Sequence, residues 1–299
     1  MQQIAKLAAI FFVASVIPAF AADVPAKAPS SIAAPVASWT GFYAGLNAGY
    51  GWSDATSSNV AVDPASALLF AVVLPPGSFD TRFAQEGAMA GGQAGVNWQL
   101  SDRFVAGIEA DIQWSDIHGS DIRSAATAIP NLQFTSNTTR NLEWFGTVRA
   151  RLGFLATPDL LLYGTGGLAY GQTNTSASIG LTPPPGINVA TGFSDPSGNF
   201  TFACSNAPGS PPNCYSGSSR QTSVGWSAGL GGEWRFADRW TAKLEWLHID
   251  LPGNSVTLVS PSPPSSPGVM TKYNFVHQGY DFVRVGLNYQ FSGGAVAKH

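Results

Sequence analysis

The sequence predicts an all-β fold, an eight-stranded antiparallel transmembrane β-barrel with short periplasmic turns and four long extracellular loops. Three observations support this prediction. Only 11% of the 299 residues are charged, less than half of the roughly 25% usual in soluble domains. Large apolar residues alternate with small or polar ones at period two, which is typical of strands with two different faces. The connections between these stretches alternate between short and long, as in barrels that cross a membrane.

Composition disfavours several other classes of protein. Mean hydropathy is only +0.07, and the scarce charge is not replaced by long apolar runs, so a helical membrane protein is disfavoured. Aromatic residues make up 12% of the chain, which is too much apolar surface for a disordered chain. The formal net charge of −3 comes without a basic stripe, so no nucleic-acid partner is expected.

The first element is a predicted signal peptide, residues 1–21. Its apolar core, 7–20, follows Lys6 and ends in a small-x-small sequence, so we expect cleavage after Ala21. An uncleaved anchor is the alternative, but the core is shorter than the ~20 residues that a spanning helix needs. Residues 22–38 are rich in Ala, Pro and Ser and are predicted to form a flexible periplasmic leader.

Eight proline-free stretches follow and are predicted as strands, because proline cannot donate to a ladder that is hydrogen-bonded on both sides. They are 39–52, 88–100, 104–115, 142–155, 160–171, 221–236, 240–250 and 280–291. In the first stretch Phe42, Leu46 and Trp52 share one face, and Asn47 lies with several glycines on the other.

The later stretches have a face that carries large apolar residues and an opposite face that carries charge. On the third and fourth stretches the apolar face includes Ile108, Ile112, Val148 and Leu152. On the sixth, seventh and eighth stretches it includes Trp226, Leu230, Leu244, Trp246, Val283 and Val285. No Lys, Arg or Glu lies on these apolar faces, and the two charges they carry, Asp250 and Asp281, lie at strand ends.

A soluble β-sandwich would also give such strands, with the apolar face as its core. The nine Trp lie in the strand stretches, mostly near their ends, as expected for aromatic girdles at two membrane interfaces. The connections 53–87, 116–141, 172–220 and 251–279 are long, whereas 101–103, 156–159 and 237–239 are short. These two features favour the barrel, and we expect residues 39–291 to form it.

The predicted inward face carries ten charged residues, five acidic and five basic. They are Glu109, Asp111, Glu143, Glu233 and Glu245, and Arg149, Arg151, Arg235, Lys243 and Arg284. The interior of an eight-stranded barrel is just wide enough to be filled by side chains. Because charges held away from water must be paired, we expect a neutral, salt-bridged network. A narrow polar path for ions is the alternative.

Signals for chemistry are weak, and we predict no catalytic residues, cofactor or metal. His248 lies on the outward face at a strand end and could be a lipid-facing base, but no Ser accompanies it in a recognisable motif, so a polar anchor is the simpler interpretation. Cys204 and Cys214 lie in the long connection 172–220, and export favours a disulfide between them over two free thiols.

Four segments carry a resemblance to a known family. They are Trp39-Thr40-Gly41-Phe42-Tyr43-Ala44-Gly45, Leu142-Glu143-Trp144-Phe145-Gly146-Thr147-Val148-Arg149, Tyr163-Gly164-Thr165-Gly166-Gly167-Leu168-Ala169-Tyr170 and Val283-Arg284-Val285-Gly286-Leu287-Asn288-Tyr289. They resemble the alphaproteobacterial outer-membrane immunogenic or porin-like β-barrel family, whose architecture is related to the barrel domain of outer-membrane protein A. The resemblance covers the signal and all eight strands, but not the long loops.

The resemblance implies an abundant, envelope-stabilising surface protein of the outer membrane, with outer-membrane lipid, the assembly machinery and periplasmic chaperones as partners. Barrels of this kind end on an aromatic residue that the insertion machinery reads, and Phe291 fits that place, with Leu287 and Tyr289 before it. The tail 292–299 departs from this pattern. A small porin and an adhesin that binds a host or surface ligand through its loops are the two alternative functions.

Overall fold

The computed structural model describes residues 38–61, 77–127, 131–182, 193–194, 201–202, 213–259, 270–276 and 278–291. In chain order, the strands are β1 Gly41–Ala61, β2 Thr81–Gln99, β3 Phe104–Ala126, β4 Gln133–Thr157, β5 Leu160–Thr182, β6 Phe193–Ser194, β7 Thr201–Phe202, β8 Asn213–Ala237, β9 Trp240–Leu251, β10 Ser255–Val259, β11 Met270–Phe275 and β12 Gln278–Gln290. Within these ranges no helix is long and apolar enough to span a membrane. The predicted signal peptide, most of the leader and the tail lie outside the described residues.

Eight long strands form a closed antiparallel ring in the order β1, β2, β3, β4, β5, β8, β9 and β12. The pairings β1 with β2 and β1 with β12 close it, so none of the eight has a free edge. Each predicted stretch falls on one of these strands, and the all-β antiparallel prediction is confirmed. The short connections around 101–103, 158–159 and 238–239 all lie at one end of the ring.

At the other end, the ring extends well beyond the predicted strands. β4 begins at Gln133 rather than at 142, and β5 continues to Thr182 rather than ending at 171. β10 and β11 continue the positions of β9 and β12, since β11 pairs with β1 and β10 pairs with β8. The prediction that these residues belong to loops is therefore wrong. We call this part of the ring, which lies beyond the outermost Trp residues, the outer extension.

The reason for the error is that the alternation reverses in the outer extension. On β5, Ala177, Ile179 and Leu181 point inward and are buried, while Ser176 and Thr182 face outward and are exposed. A strand surrounded by water hides its apolar face, whereas a strand surrounded by lipid exposes it. The outer extension therefore has the pattern of a soluble barrel.

The outward face between the two ends carries the apolar side chains that a lipid environment requires. Leu46, Leu152, Leu168 and Leu230 are between 60% and 73% exposed. Eight of the nine Trp belong to this face, and they form two girdles. The girdle next to the outer extension consists of Trp52, Trp114, Trp144, Trp226 and Trp246. The girdle at the end with the short turns consists of Trp98, Trp234 and Trp240. We take the segments between the girdles as membrane-spanning.

Trp39 is the exception, since it is 2% exposed and lies inside the ring. Its indole Nε1 donates to the carbonyl of Pro158 at 3.0 Å, and the guanidinium carbon of Arg235 lies 4.2 Å from the ring centroid. The prediction that all nine Trp contribute to girdles is wrong for this residue. Trp39 instead closes the interior at the end with the short turns.

The interior is layered along the barrel axis. Starting from the short turns, a first apolar layer is followed by the charged network and then by a second apolar layer. The first apolar layer consists of Trp39, Val105, Leu155, Leu161 and Tyr163. The second consists of Met89, Ile117, Leu142, Phe145, Ala169, Leu247, Ile249, Leu251, Tyr280 and Phe282. A neutral polar layer around Gln85, Thr175 and Gln278 comes next, and an apolar cluster that includes Phe134, Leu258 and Tyr273 fills the outer extension. The sequence predicted the salt-bridged network inside the barrel but not the apolar layers on either side of it.

Candidate functional site in the barrel interior

Arg149 of β4 is at the centre of the charged network. Its Nη2 donates to Glu109 Oε1 at 2.6 Å and to Asp111 Oδ2 at 3.1 Å, and its Nη1 donates to Glu245 Oε1 at 2.5 Å. The side chains of all four residues are at most 1% exposed. The three acidic partners lie on β3 and β9, so one arginine ties three strands together.

Two further cations complete the centre of the network. Lys243 Nζ donates to both oxygens of Glu109 at 2.9 and 3.0 Å, and Arg284 binds Asp111 and Glu245 at 3.0 and 2.7 Å. Three acids therefore face three bases, and the centre is neutral. Charged hydrogen bonds of this kind are roughly twice as strong as neutral ones, and they offset the cost of burying the charges.

Arg151 forms a separate pair with Glu233, and both side chains are buried. The Arg151 guanidinium also lies over the Tyr163 ring, 3.7 Å from its centroid, and Glu233 accepts from Asn288 at 2.8 Å. The Tyr43 hydroxyl, which donates to Glu109 at 2.7 Å, links this pair to the centre of the network. Neighbouring groups therefore contact both members of the pair, while the Arg151 Nε makes no hydrogen bond with the described residues.

Glycines make room for these long side chains. A Cβ at Gly167, opposite Arg149 on β5, would lie 2.1 Å from the Val148 carbonyl oxygen and 2.7 Å from the Arg149 Cα. A Cβ at Gly49 would be equally close to Val283 and Arg284. At these positions the backbones approach too closely for any side chain.

Two of the ten predicted network residues lie elsewhere. Glu143 sits at a β-bulge of β4, because Leu142 pairs with Thr173 and Trp144 pairs with Gln172. The bulge turns Glu143 to the outward face, where Arg220 donates to it at 2.7 Å. Its assignment to the interior network is wrong, since the extra residue interrupts the period of two. Arg235 lies inside, but against Trp39 at the end with the short turns rather than in the network.

Sequence reasoning missed Arg140, which points into the interior of the outer extension and is 1% exposed. It was placed in the connection 116–141. The signal was present, since Phe134, Ser136, Thr138 and Arg140 continue the period of β4, but mixed apolar and polar residues on one face did not resemble a membrane strand.

The predicted insertion-signal residues lie at the end of β12 and directly after it. Leu287 and Phe291 are exposed on the outward face, and the Tyr289 ring packs against Trp240 and Phe291. Their role as an insertion signal stays a prediction. Cys214 is buried in the outer extension and disulfide-bonded, while Cys204 lies outside the described residues.

His248 lies on the outward face, as expected. Its Nδ1 is 3.0 Å from Asp281 Oδ1, and its ring packs against Trp226 and Trp246. Within the described ranges, no group of three or more His, Cys, Asp or Glu could hold a metal ion.

Comparison with known proteins assigns this architecture to a family. The family model described as the outer membrane protein β-barrel domain matches residues 12–291. The chain belongs to this outer-membrane β-barrel family. Its location is therefore the cell outer membrane, and the predicted resemblance is confirmed.

Two similar members of this family are the 31 kDa outer-membrane immunogenic proteins of Brucella melitensis biotype 1 and Brucella suis biovar 1. Each is 36% identical over 291 residues, which is 96% of this chain and 98% of the relative. Among solved structures, OprG from Pseudomonas aeruginosa is 12% identical with a TM-score of 0.37, covering 84% of this chain and 97% of OprG. Neither the family description nor the names of the Brucella relatives refer to catalysis.

Proposed function

We propose that this outer-membrane barrel is a structural, surface-exposed protein whose interior is closed to ions and solutes. The observation that carries the proposal is contact between strands on opposite sides of the ring. β4 lies opposite β12, and β3 lies opposite β9, with three strands between the members of each pair on either side. Side chains of such strands can touch only by reaching across the whole interior.

These contacts occur at three heights. In the charged network, Lys243 of β9 reaches Glu109 of β3 at 2.9 Å. In the second apolar layer, the rings of Phe145 and Phe282, from β4 and β12, have centroids 4.5 Å apart. In the outer extension, the hydroxyls of Ser136 and Tyr273, from β4 and β11, are 2.7 Å apart.

The apolar layers strengthen the proposal because apolar side chains cannot replace the hydration of a permeating ion. An ion that crossed the second apolar layer would lose its hydration and gain no partner, at a cost of many kcal/mol. The porin alternative requires a polar, water-filled path. The adhesin alternative depends on loop residues and stays a prediction, as do the signal peptide and the chaperone partners.

Planar-bilayer recording of the purified barrel tests the closed interior. We expect no steady single-channel steps at salt concentrations at which a conducting porin, recorded in the same bilayer, gives them. Steady steps whose size changes in Arg149→Gln, but not in the outward-facing control Arg220→Gln, would contradict the proposal.

The envelope role is tested in cells. We infer from the immunogenic naming of the Brucella relatives that this chain is also an exposed antigen-like component of its own envelope. Deletion of the gene should increase sensitivity to detergents and large antibiotics, and the intact chain should restore resistance. Unchanged sensitivity in the deletion strain would argue against a structural role.

A further inference from the structure

A buried arginine in the outer extension takes no part in the charged network. Arg140 is 1% exposed and lies in the neutral polar layer, between the second apolar layer and the apolar cluster of the outer extension. Its three guanidinium nitrogens, Nε, Nη1 and Nη2, make no hydrogen bond of regular length and angle with the described residues. The Phe275 ring covers one side of the group, with its centroid 4.9 Å from Cζ.

The groups around Arg140 are polar but uncharged. Gln85 Nε2 donates to the Arg140 backbone carbonyl at 3.1 Å, and Gln278 donates to Gln85 at 2.6 Å and to Ser53 at 3.0 Å. Thr175 is the cross-strand partner of Arg140 and accepts from Asn254 at 3.4 Å. In the part of the chain that the structure describes, no carboxylate forms an ion pair with Arg140.

The nearby side chains are hydroxyls rather than carboxylates. The buried Tyr280 hydroxyl lies beside the Arg140 guanidinium, and the buried Thr138 hydroxyl lies beside Tyr273. Burial lowers the pKa of the Arg140 guanidinium, and the opposing effect comes from the Tyr280 hydroxyl rather than from a carboxylate. The site therefore combines one full positive charge with neutral hydroxyl groups.

An isolated charge in such a place is costly. Natural interiors pair their buried charges, and leaving one unpaired costs several kcal/mol. Neutral amides such as those of Gln85 and Gln278 can accept hydrogen bonds, but they bring no negative charge. By contrast, the buried guanidinium groups of Arg149, Arg151 and Arg284 each contact at least one carboxylate.

We propose that the polar layer around Arg140 binds one small monovalent anion of the chloride class. A single negative charge would neutralise the site, whereas a dianion would leave it with an excess negative charge. The apolar layers on both sides close off the polar layer, so a small ion would be enclosed there as the barrel folds. The anion would act as a structural component of the outer extension.

Bromide, which scatters anomalously, is the direct probe. Barrel that is refolded and crystallised in bromide should show an anomalous peak within hydrogen-bond distance of the Arg140 guanidinium. Density for water alone at that position, or a loop carboxylate that pairs with Arg140, would overturn the proposal.

Thermal unfolding in detergent gives a second readout. The midpoint should be several degrees higher in chloride or bromide than in gluconate, which is too large to enter, because an ion that binds only the folded state stabilises it. Arg140→Gln should abolish the difference, and Arg123→Gln, at an exposed position on β3, should preserve it. If Arg140→Gln does not fold, the wild-type comparison and the bromide crystals remain decisive; equal midpoints in chloride and gluconate would contradict the proposal.

Discussion

Arg149 donates to three carboxylates that would lose a shared partner if its charge were removed. We expect Arg149→Gln to lower the free energy of unfolding by about 3–5 kcal/mol, because it leaves three buried acids facing only two buried bases, Lys243 and Arg284. Urea titration of the folded barrel, followed by its heat-modifiable gel mobility, measures this change.

The matched control is Arg220→Gln, which breaks the outward-facing pair with Glu143. Arg220 has an exposed side chain, and exposed ion pairs contribute about 1 kcal/mol or less. Equal losses of stability in the two variants would show that burial of the charged network does not matter for folding.

Gly167 and Gly166 are adjacent residues with opposite tolerance for a side chain. A Cβ at Gly167 would collide with the β4 backbone at 2.1 Å, whereas a Cβ at Gly166 has its nearest neighbour, the Ser227 carbonyl oxygen, at 3.8 Å. We expect Gly167→Ala to reduce the yield of folded barrel severalfold and Gly166→Ala to leave it unchanged. Gel mobility of refolded samples distinguishes the two, and a well-folded Gly167→Ala barrel would contradict the assigned backbone approach.

At the level of single residues, the period of two was enough to place most of the network. The network residues that do not lie at a bulge follow the alternation of their strands, as for Glu109, Arg149, Glu233 and Lys243. Glu143 could not be placed correctly, because a bulge adds one residue without leaving a mark in a single sequence.

At the level of elements, the outer extension behaves as a soluble barrel joined to a membrane barrel. Leu258 of β10 is fully buried, whereas its neighbour Val259 is 48% exposed. We expect Leu258→Asn to loosen the outer extension and to make it sensitive to protease added to intact cells, since it places a polar amide in an apolar cluster. Val259→Asn should stay resistant. Membrane insertion should survive in both, and equal protease resistance would argue against the assigned faces.

The sequence predicted the membrane-spanning part of each strand because lipid imposes one rule on every outward side chain. It did not predict the outer extension, where the faces exchange roles. On β5 the inward series changes from Thr173 and Thr175 to Ala177 and Ile179, and the outward series becomes rich in Ser. A strand prediction that requires one constant apolar face therefore ends the strand where the two faces exchange roles.

At the level of the whole molecule, the closed interior predicts which lysines react with a small amine-specific reagent. Lys243 is buried in the charged network, whereas Lys272 lies in the outer extension and is only partly buried. Peptide mapping of the labelled folded barrel should therefore find modified Lys272 and unmodified Lys243. Unfolding before labelling is the control and should expose both. Modification of Lys243 in the folded barrel would indicate an open interior.

The strands β4 and β5 extend well beyond the outer Trp girdle. From the outer Trp girdle, β4 continues from Asn141 to Gln133, and β5 continues to Thr182. Nine residues of strand span about 30 Å, or roughly 20 Å along the axis of a tilted barrel. This height exceeds the polar headgroup layer on one side of a bilayer, which is about 5–8 Å thick. With the short turns facing the periplasm, as the sequence predicts, we expect the ends of these strands to stand clear of the headgroups and to be accessible to antibodies that approach from solution.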